Sequence, residues 1–237
     1  MKNPFLMDKE IIDPYETMNR HDIERLRSQL PACPGILARD RFFNSAVLIP
    51  LVLKNDEVSV LFQKRANHIR QGGEICFPGG QYDPELDADY QETAVRETIE
   101  ELGVKREQIQ ILGRLGTFLA PQGVTIEPFV GILHIENVDE LLIDPNEVEG
   151  VFLLPMTYFE NTLPQEYHVR VEVQPAYINE KGEEQILLPV KALGLPECYA
   201  RPWGGRHYRV LVYPSPEDTI WGMTAAIIYD LVQKLHV

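Results

Sequence analysis

The feature that most constrains this chain is a glycine pair followed by a helical segment with three glutamates, "GGQYDPELDADYQETAVRETIEELGV" (residues 79–104). At about 100° per residue, Glu97, Glu100 and Glu101 fall on one side of that helix. The opposite side carries its apolar residues, Val95, Ile99 and Leu102. Like charges three and four residues apart destabilise a helix, and carboxylates near its C-terminus oppose the helix dipole. Local helix stability therefore does not explain why the glutamates are grouped.

Two interpretations of the acidic side are open. Charge runs on helices are usually solvated surfaces. Alternatively, three carboxylates on one side supply the oxygen ligands that Mg²⁺ and Mn²⁺ prefer, and a bound cation would offset their mutual repulsion. The placement of the glutamates favours the metal site.

The glycine pair, Gly79 and Gly80, ends a short apolar segment over residues 75–77. A turn without side chains lets the backbone approach a phosphate closely. The alternative is an ordinary Gly-Gly loop. The acidic helix downstream favours the phosphate-facing turn.

Segments rich in β-forming residues surround this stretch and predict a central sheet. Residues 45–55 and 58–65 predict a β-hairpin, and residues 109–120 and 124–135 predict two further strands. Residues 146–163 predict a strand that passes into a short helix.

The C-terminal part continues this pattern. Residues 166–175 alternate like a half-exposed strand that extends the same sheet, and residues 207–213 return to strand after a long surface excursion over 176–206. Residues 218–235 carry an apolar stripe at helical spacing, which predicts a helix that packs on the sheet.

The N-terminus is predicted to be irregular over residues 1–17, with a short helix over residues 19–30 that ends before Pro31. We expect an N-terminal extension over residues 1–44 and one domain over residues 45–237. The sequence has no low-complexity tract or polar linker that would divide that domain.

The net charge argues against nucleic acid and anionic membranes as partners, and the cysteine pattern indicates the compartment. The chain has 22 basic and 36 acidic residues and a formal charge of -14, which opposes binding to nucleic acid or to an anionic membrane. No segment has the roughly 18 consecutive apolar residues of a membrane span. Three cysteines without a C-x-x-C pair indicate a reducing compartment, so we expect a cytoplasmic protein.

The acidic segment resembles the Nudix box, the signature G-x5-E-x7-R-E-U-x-E-E-x-G-U, in which U is aliphatic. Hydrolases with this box split a nucleoside diphosphate linked to another moiety. The second half of the box matches at Arg96, Glu97, Glu100, Glu101, Gly103 and Val104, with Thr98 at one aliphatic position.

The first half of the box departs from the signature. Gly80 lies sixteen positions before Arg96 instead of fourteen, and Ala88 occupies the site of the first glutamate. We infer a loop that is two residues longer. Its missing carboxylate would come from one of three aspartates, Asp83, Asp87 or Asp89.

Residues 61–80, "LFQKRANHIRQGGEICFPGG", look like the extra motif of the coenzyme A pyrophosphatase subgroup, approximately L-L-T-x-R-S-x3-R-x3-G-x-x-x-F-P-G-G. The match is carried by Arg65, Ala66, Arg70, Gly73 and residues 77–80. The segment is one residue shorter than the commonest form, and the threonine is replaced.

The resemblance implies an α/β fold, a Nudix-type α/β/α sandwich with a mixed central sheet. It also implies Mg²⁺ or Mn²⁺ as the cofactor, bound by Glu97 and Glu101, with Glu100 coordinating directly or through water. Glu97 is the leading candidate to orient or deprotonate the attacking water.

The same resemblance assigns supporting roles. Arg96 would fix a glutamate by a salt bridge, and Gly80 would position the loop, with its carbonyl able to reach a metal. Apart from the resemblance, the 3′-phosphate of coenzyme A needs cationic partners, and Arg65 and Arg70, just upstream of the glycine pair, are candidates; the equal alternative is that both are ordinary surface arginines. Gly79, in the same turn, is a further expected substrate-binding residue.

Several residues outside the acidic helix are further candidates for the site. Isolated glutamates are usually ordinary exposed residues, so Glu127, Glu147 and Glu149 are weaker candidates as remote bases or ligands. His68 is more often structural. The segment 201–208 offers Trp203 for stacking and two arginines for phosphate, or is an exposed hairpin loop.

The expected function is hydrolysis of the diphosphate bond of coenzyme A or its derivatives to 3′,5′-ADP and 4′-phosphopantetheine. The alternatives are a Nudix hydrolase of another nucleotide derivative, such as ADP-ribose, and a catalytically silent nucleotide-binding module. We expect a small-molecule nucleotide diphosphate as partner, with no nucleic acid and no membrane, and a homodimer as an assembly to test.

Overall fold

The computed structural model describes residues 18–33 and 35–235. The chain divides into two compact units between residues 39 and 40. The first unit contains helix α1 (Arg20–Gln29), which begins with a capping box formed by Asn19 and Asp22. The helix predicted over residues 19–30 is confirmed. The irregular chain predicted over residues 1–17 lies outside the described residues, so the predicted organisation into residues 1–44 and 45–237 stays a prediction.

The second unit contains the remaining helices and all the described strands. The helices are α2 (Tyr90–Leu102), α3 (Met156–Asn161) and α4 (Gly222–Leu235). The strands are β1 (Phe43–Lys54), β2 (Glu57–Arg65), β3 (Ile75–Cys76), β4 (Gly79–Gln81), β5 (Ile109–Arg114), β6 (Phe118–Ala120), β7 (Val124–Leu133), β8 (Val148–Pro155), β9 (Gln165–Val173), β10 (Ala176–Ile178), β11 (Glu184–Ile186), β12 (Trp203–Pro214) and β13 (Thr219–Trp221).

The main sheet has eight strands and is mixed. Its path runs β3-β2-β1-β7-β5, while β4 pairs with β1, β6 with β7 and β8 with β2. β1 and β7 are parallel, and the other pairs are antiparallel. The predicted hairpin of β1 and β2 is confirmed, and its two-residue turn places Asn55 and Asp56 at positive φ, as such hairpins require.

Helices cover both faces of this sheet. On one face, Ala94 of α2 packs with Ala46 of β1 and Phe129 of β7. On the other face, Ile228 of α4 joins a cluster that includes Ile49 of β1. Successive residues of a strand point to opposite faces, so β1 supplies both cores. The predicted α/β/α sandwich with a mixed central sheet is confirmed.

The single strand predicted over residues 109–120 is wrong in one respect, because it is divided into β5 and β6. The break lies opposite Pro128 of β7, which has no N–H to donate to the ladder. Leu115 still donates its N–H to the Pro128 carbonyl at 2.9 Å. The proline therefore explains why pairing with β7 stops and resumes.

The prediction that residues 166–175 extend the main sheet is also wrong. β9 pairs along its whole length with β12, which pairs in turn with β13, to form a separate antiparallel sheet. Alternation of polar and apolar residues indicates a strand but does not identify its neighbour. The C-terminal helix is also shorter than predicted, because Ile220 lies in β13 and α4 begins at Gly222. None of the described helices is both long and apolar enough to span a bilayer.

Candidate metal centre

Helix α2 is held at both ends by local contacts. The Asp89 carboxylate accepts the backbone N–H groups of Gln91 and Glu92 at 2.8 and 3.0 Å, which caps the N-terminus. Gly103 ends the helix with φ 65°, a left-handed conformation that glycine adopts at little cost. These caps fix the position of the last turns, which carry the glutamates.

The glycine pair lies directly against those turns. The Gly79 N–H donates a 2.9 Å hydrogen bond to Oε2 of Glu101, a residue that is only 1% exposed. A Cβ atom on Gly80 would overlap the carboxyl group of Glu97, and a Cβ on Gly79 would overlap the backbone of β1. The glycine pair lies in β4, which pairs with β1, so the prediction of a tight turn at these two residues is wrong. Neither position has room for a side chain, which explains why this strand begins with two glycines.

A third carboxylate, from Glu147, completes the site. Each of Glu97, Glu101 and Glu147 offers an oxygen within 4.8 Å of the others. Glu147 immediately precedes β8, and its carbonyl accepts the N–H of Ala66 at 2.9 Å. The pairing of β8 with β2 thus brings a residue from outside α2 to the acidic helix. We call Glu97, Glu101 and Glu147 the carboxylate group.

Burial raises the pKa of two glutamates in this group, Glu101 and Glu97. It raises the pKa of Glu101 to about 7, against the opposing effect of the Gly79 N–H. Burial also raises the pKa of Glu97, although the Arg96 guanidinium acts in the other direction. Burial disfavours the ionised state of Glu97 and Glu101, and a divalent cation would reverse that preference. The donor set fits Mg²⁺ or Mn²⁺, which prefer oxygen ligands.

Arg96 connects the helix to the loop before it. Its guanidinium binds both Asp87 oxygens at 2.8 and 3.0 Å, and Nη1 also lies 2.8 Å from Glu97 and 2.9 Å from Glu100. The hydrogen bonds between Arg96 and Asp87 lower the pKa of Asp87 to about 2 and raise the pKa of Arg96. Arg96 therefore holds Glu97 from one side while Asp87 holds Arg96.

Of the three aspartates offered as the missing box carboxylate, Asp87 is the one that pairs with Arg96. It is 4% exposed and also accepts hydrogen bonds from Thr93 Oγ1 and the Asp83 N–H. Asp89 caps α2 instead, and the Asp83 carboxylate accepts the Glu85 N–H.

Glu100 lies outside the carboxylate group. Its side chain is 56% exposed and pairs with Arg96. Its expected roles in catalysis and metal binding stay predictions.

The two arginines expected to bind phosphate lie at the start of the loop after β2 and within it. Arg65 ends β2 and is partly buried, while Arg70 is exposed. Arg65 Nε donates to the Arg70 carbonyl at 3.3 Å, and the Gly73 N–H donates to the Arg65 carbonyl at 2.9 Å. These bonds fold the segment back towards β3 and the glycine pair. His68 in the same turn is exposed.

Three further candidates from the sequence, Glu127, Glu149 and Trp203, make contacts outside the carboxylate group. Glu127 is 1% exposed and accepts a 3.0 Å hydrogen bond from Thr117. Glu149 accepts a 2.6 Å bond from Asn67 and lies 3.7 Å from Lys64. Trp203 begins β12, so it is not in a hairpin loop, and its ring contacts Tyr199 edge-on at 5.4 Å.

Two residues near the acidic helix, Glu147 and Gln63, are brought there by strand pairing. Glu147 follows no local pattern, and only the pairing of β8 with β2 reveals its position. Gln63 had a detectable signal, because it is a polar residue within the buried run of β2. It is completely buried.

The fold and site define a class, an α/β/α protein in which a group of carboxylates that could hold a cation lies beside a strand that begins with two glycines. The chain belongs to the Nudix family, because the family model described as the NUDIX domain matches residues 43–173.

Two curated relatives illustrate the sequence similarity. "Nudix hydrolase 3" of Caenorhabditis elegans is 42% identical over 125 residues, and the match covers 51% of each protein. The chain thus spans about half the length of that relative. The "Uncharacterized Nudix hydrolase NudL" of Photorhabdus laumondii is 28% identical over 215 residues, which cover 91% of this chain and 96% of that protein.

Solved structures with related folds are more distant. RenU, a Nudix hydrolase from M. smegmatis, has a TM-score of 0.42 at 19% identity and covers 51% of this chain and 74% of its own. The NUDIX domain of Shewanella oneidensis NrtR, crystallised with ADP ribose, has a TM-score of 0.40 at 18% identity, with coverage of 62% and 89%.

Proposed function

We propose that the chain is a metal-dependent hydrolase of nucleoside diphosphate derivatives and that its substrate is coenzyme A or an acylated form. The products would be 3′,5′-ADP and 4′-phosphopantetheine. The observation that carries the hydrolase proposal is the carboxylate group, in which one oxygen from each of three glutamates lies within 4.8 Å of the others, beside the glycine pair of β4.

Glu97, Glu101 and Glu147 would hold Mg²⁺ or Mn²⁺, with Glu100 joining them directly or through water. When bound, such a cation neutralises the diphosphate and lowers the pKa of a bound water. The Gly79 N–H leaves one oxygen of Glu101 free to face the cation, since it bonds only Oε2.

Glu97 would orient the attacking water and accept its proton. Arg96 holds the Glu97 carboxylate at 2.8 Å and is itself fixed by Asp87, so the position of Glu97 does not depend on a mobile side chain. Gly80 would let β4 lie against the Glu97 carboxyl group, because the Cβ of any other residue would overlap it.

Arg65 and Arg70 would supply the positive charge that the 3′-phosphate of coenzyme A requires. An overall charge of -14 makes local cations necessary for binding any polyanion. Arg65 ends β2 and Arg70 lies in the loop that leads into β3 and the glycine pair, so a substrate bound at the carboxylate group could reach them. A cytoplasmic setting and a homodimer remain part of this proposal.

The proposal is tested by incubating purified protein with a panel of nucleotide diphosphates and separating the products by chromatography. With Mg²⁺ or Mn²⁺, coenzyme A should yield 3′,5′-ADP and 4′-phosphopantetheine, and chelation should stop the reaction. Intact coenzyme A together with cleaved ADP-ribose or a dinucleotide would select the broader hydrolase. Binding of a nucleotide without turnover on any substrate would select the silent module.

A further inference from the structure

Gln63 is the buried polar residue next to the carboxylate group that the proposed reaction does not use. Its side chain is completely buried, and neither Nε2 nor Oε1 makes a hydrogen bond with another described residue. Buried amides without partners are rare in folded proteins and destabilise them. Some purpose other than fold stability is therefore needed to explain the amide.

The sheet places Gln63 on the side that carries α2. Leu61, two residues earlier in β2, packs with Leu102 of α2, and residues two apart in a strand share a face. Phe62, between them, packs in the cluster on the opposite face. Gln63 therefore points towards the end of α2, where Glu101 precedes Leu102.

The neighbours of Gln63 agree with this position, and none of them forms a hydrogen bond with the amide in this structure. Across the sheet Gln63 is in register with Cys76 of β3 and Val151 of β8. The Gln63 amide acts to lower the pKa of Glu101 and of the Cys76 thiol, so it lies beside both groups. Neither contact has the geometry of a hydrogen bond.

We propose that Gln63 is a positioning residue for the cation site, whose amide N–H donates to the Glu101 carboxylate once a divalent cation is bound. An ionised carboxylate accepts about four hydrogen bonds or metal contacts. Glu101 receives one from the Gly79 N–H. A second donor on the buried side would fix the carboxylate plane and direct the remaining lone pairs at the cation.

This inference rests on the proposed function for the presence of the cation, and it concerns a residue to which that function gives no role. Replacement of Gln63 should affect the stability of the fold and the binding of the cation in different ways. The amide is unpartnered in the described structure, so an apolar residue of similar shape should fold at least as well. The same replacement should weaken cation binding.

The test uses Gln63→Met, with Mn²⁺ binding measured by titration calorimetry without substrate and stability measured by urea unfolding without metal. We expect the Mn²⁺ dissociation constant to rise about tenfold or more, which is typical when a residue supporting a metal ligand is lost. The urea midpoint should be unchanged or higher. Leu61→Met, on the same strand and face, is the matched control and should bind Mn²⁺ within about twofold of the wild type.

Each outcome decides the inference. Unchanged Mn²⁺ affinity in folded Gln63→Met, with or without a loss of stability, would assign Gln63 a structural role and overturn it. Gln63→Leu provides a second apolar variant, and failure of both variants to fold would overturn it equally. Absence of Mn²⁺ binding in the wild type would instead overturn the cation site and the proposed function together.

Discussion

The α-carbon of Gly80 faces the carboxyl group of Glu97 so closely that a single methyl group would collide with it. Gly80 should therefore tolerate no substitution, even though glycine is usually replaceable by alanine within a strand. The carboxylate that collides is also the one that we propose handles the attacking water. A defect at Gly80 should consequently be chemical more than structural.

Gly80→Ala should lower kcat for coenzyme A about a hundredfold, because displacement of a reacting group by about 1 Å can have that effect. Steady-state kinetics would measure the loss of kcat, and a thermal unfolding curve would measure any loss of stability. Gly150→Ala is the matched control, since Gly150 also lies in a strand and a Cβ there would meet nothing within 4 Å. Equal activity in the two variants would show that Glu97 is free to move away.

Glu97→Gln should reduce kcat by about a thousandfold or more, since the amide cannot accept a proton from water and is a poorer cation ligand. Single-turnover measurements with coenzyme A would detect the residual rate. Glu149→Gln, near the same strands but paired with Asn67 and Lys64, should keep most of its activity. Substantial turnover by Glu97→Gln would remove Glu97 from the reaction.

Asp87→Asn should destabilise the fold by roughly 1–2 kcal/mol at pH 7, because Arg96 depresses the pKa of Asp87 from near 4 to about 2. A depressed carboxyl pKa adds stability above the unfolded pKa, and that stability is lost as the pH falls through the folded pKa. The difference between variant and wild type should thus shrink between about pH 4 and pH 2. Urea unfolding across this range measures it.

Asp56→Asn, in the exposed turn between β1 and β2, serves as the control for Asp87. As an exposed substitution, it should change the free energy of unfolding at pH 7 by less than about 0.5 kcal/mol. A stability gap for Asp87→Asn that is as large near pH 2 as at pH 7 would mean that the Arg96 pairing is not its cause.

Arg70→Ala should lower kcat/KM for coenzyme A about tenfold or more while leaving dephosphorylated coenzyme A nearly unaffected, because only the former carries the 3′-phosphate. Arg70 is exposed, so the substitution should not disturb folding. Competition between the two substrates measures the ratio directly. The comparison variant is Arg206→Ala in β12. A change in selectivity there, and none at Arg70, would move the phosphate site to β12.

Much of the site could be predicted because its residues are close in sequence. Helical periodicity alone grouped Glu97 with Glu101, and the glycine pair identified the segment that approaches them, although that segment is a strand and not the predicted turn. The positions of Glu147 and Gln63 beside α2 depend on the pairing of β2 with β8 and β3, and no local pattern encodes that pairing. Likewise the strand at residues 165–173 was predictable, but its membership of a separate sheet with β12 was not.

Mn²⁺ titration calorimetry of the metal-free protein tests the central claim, that Glu97, Glu101 and Glu147 bind a divalent cation. Burial raises the pKa of Glu101 to about 7, and a cation must displace that proton, so the affinity should increase as the pH rises from 6 to 8. Glu101→Gln should lose most of the binding, whereas Glu149→Gln should retain it. Undiminished Mn²⁺ binding by Glu101→Gln, or no binding by the wild-type protein at pH 8, would contradict the account.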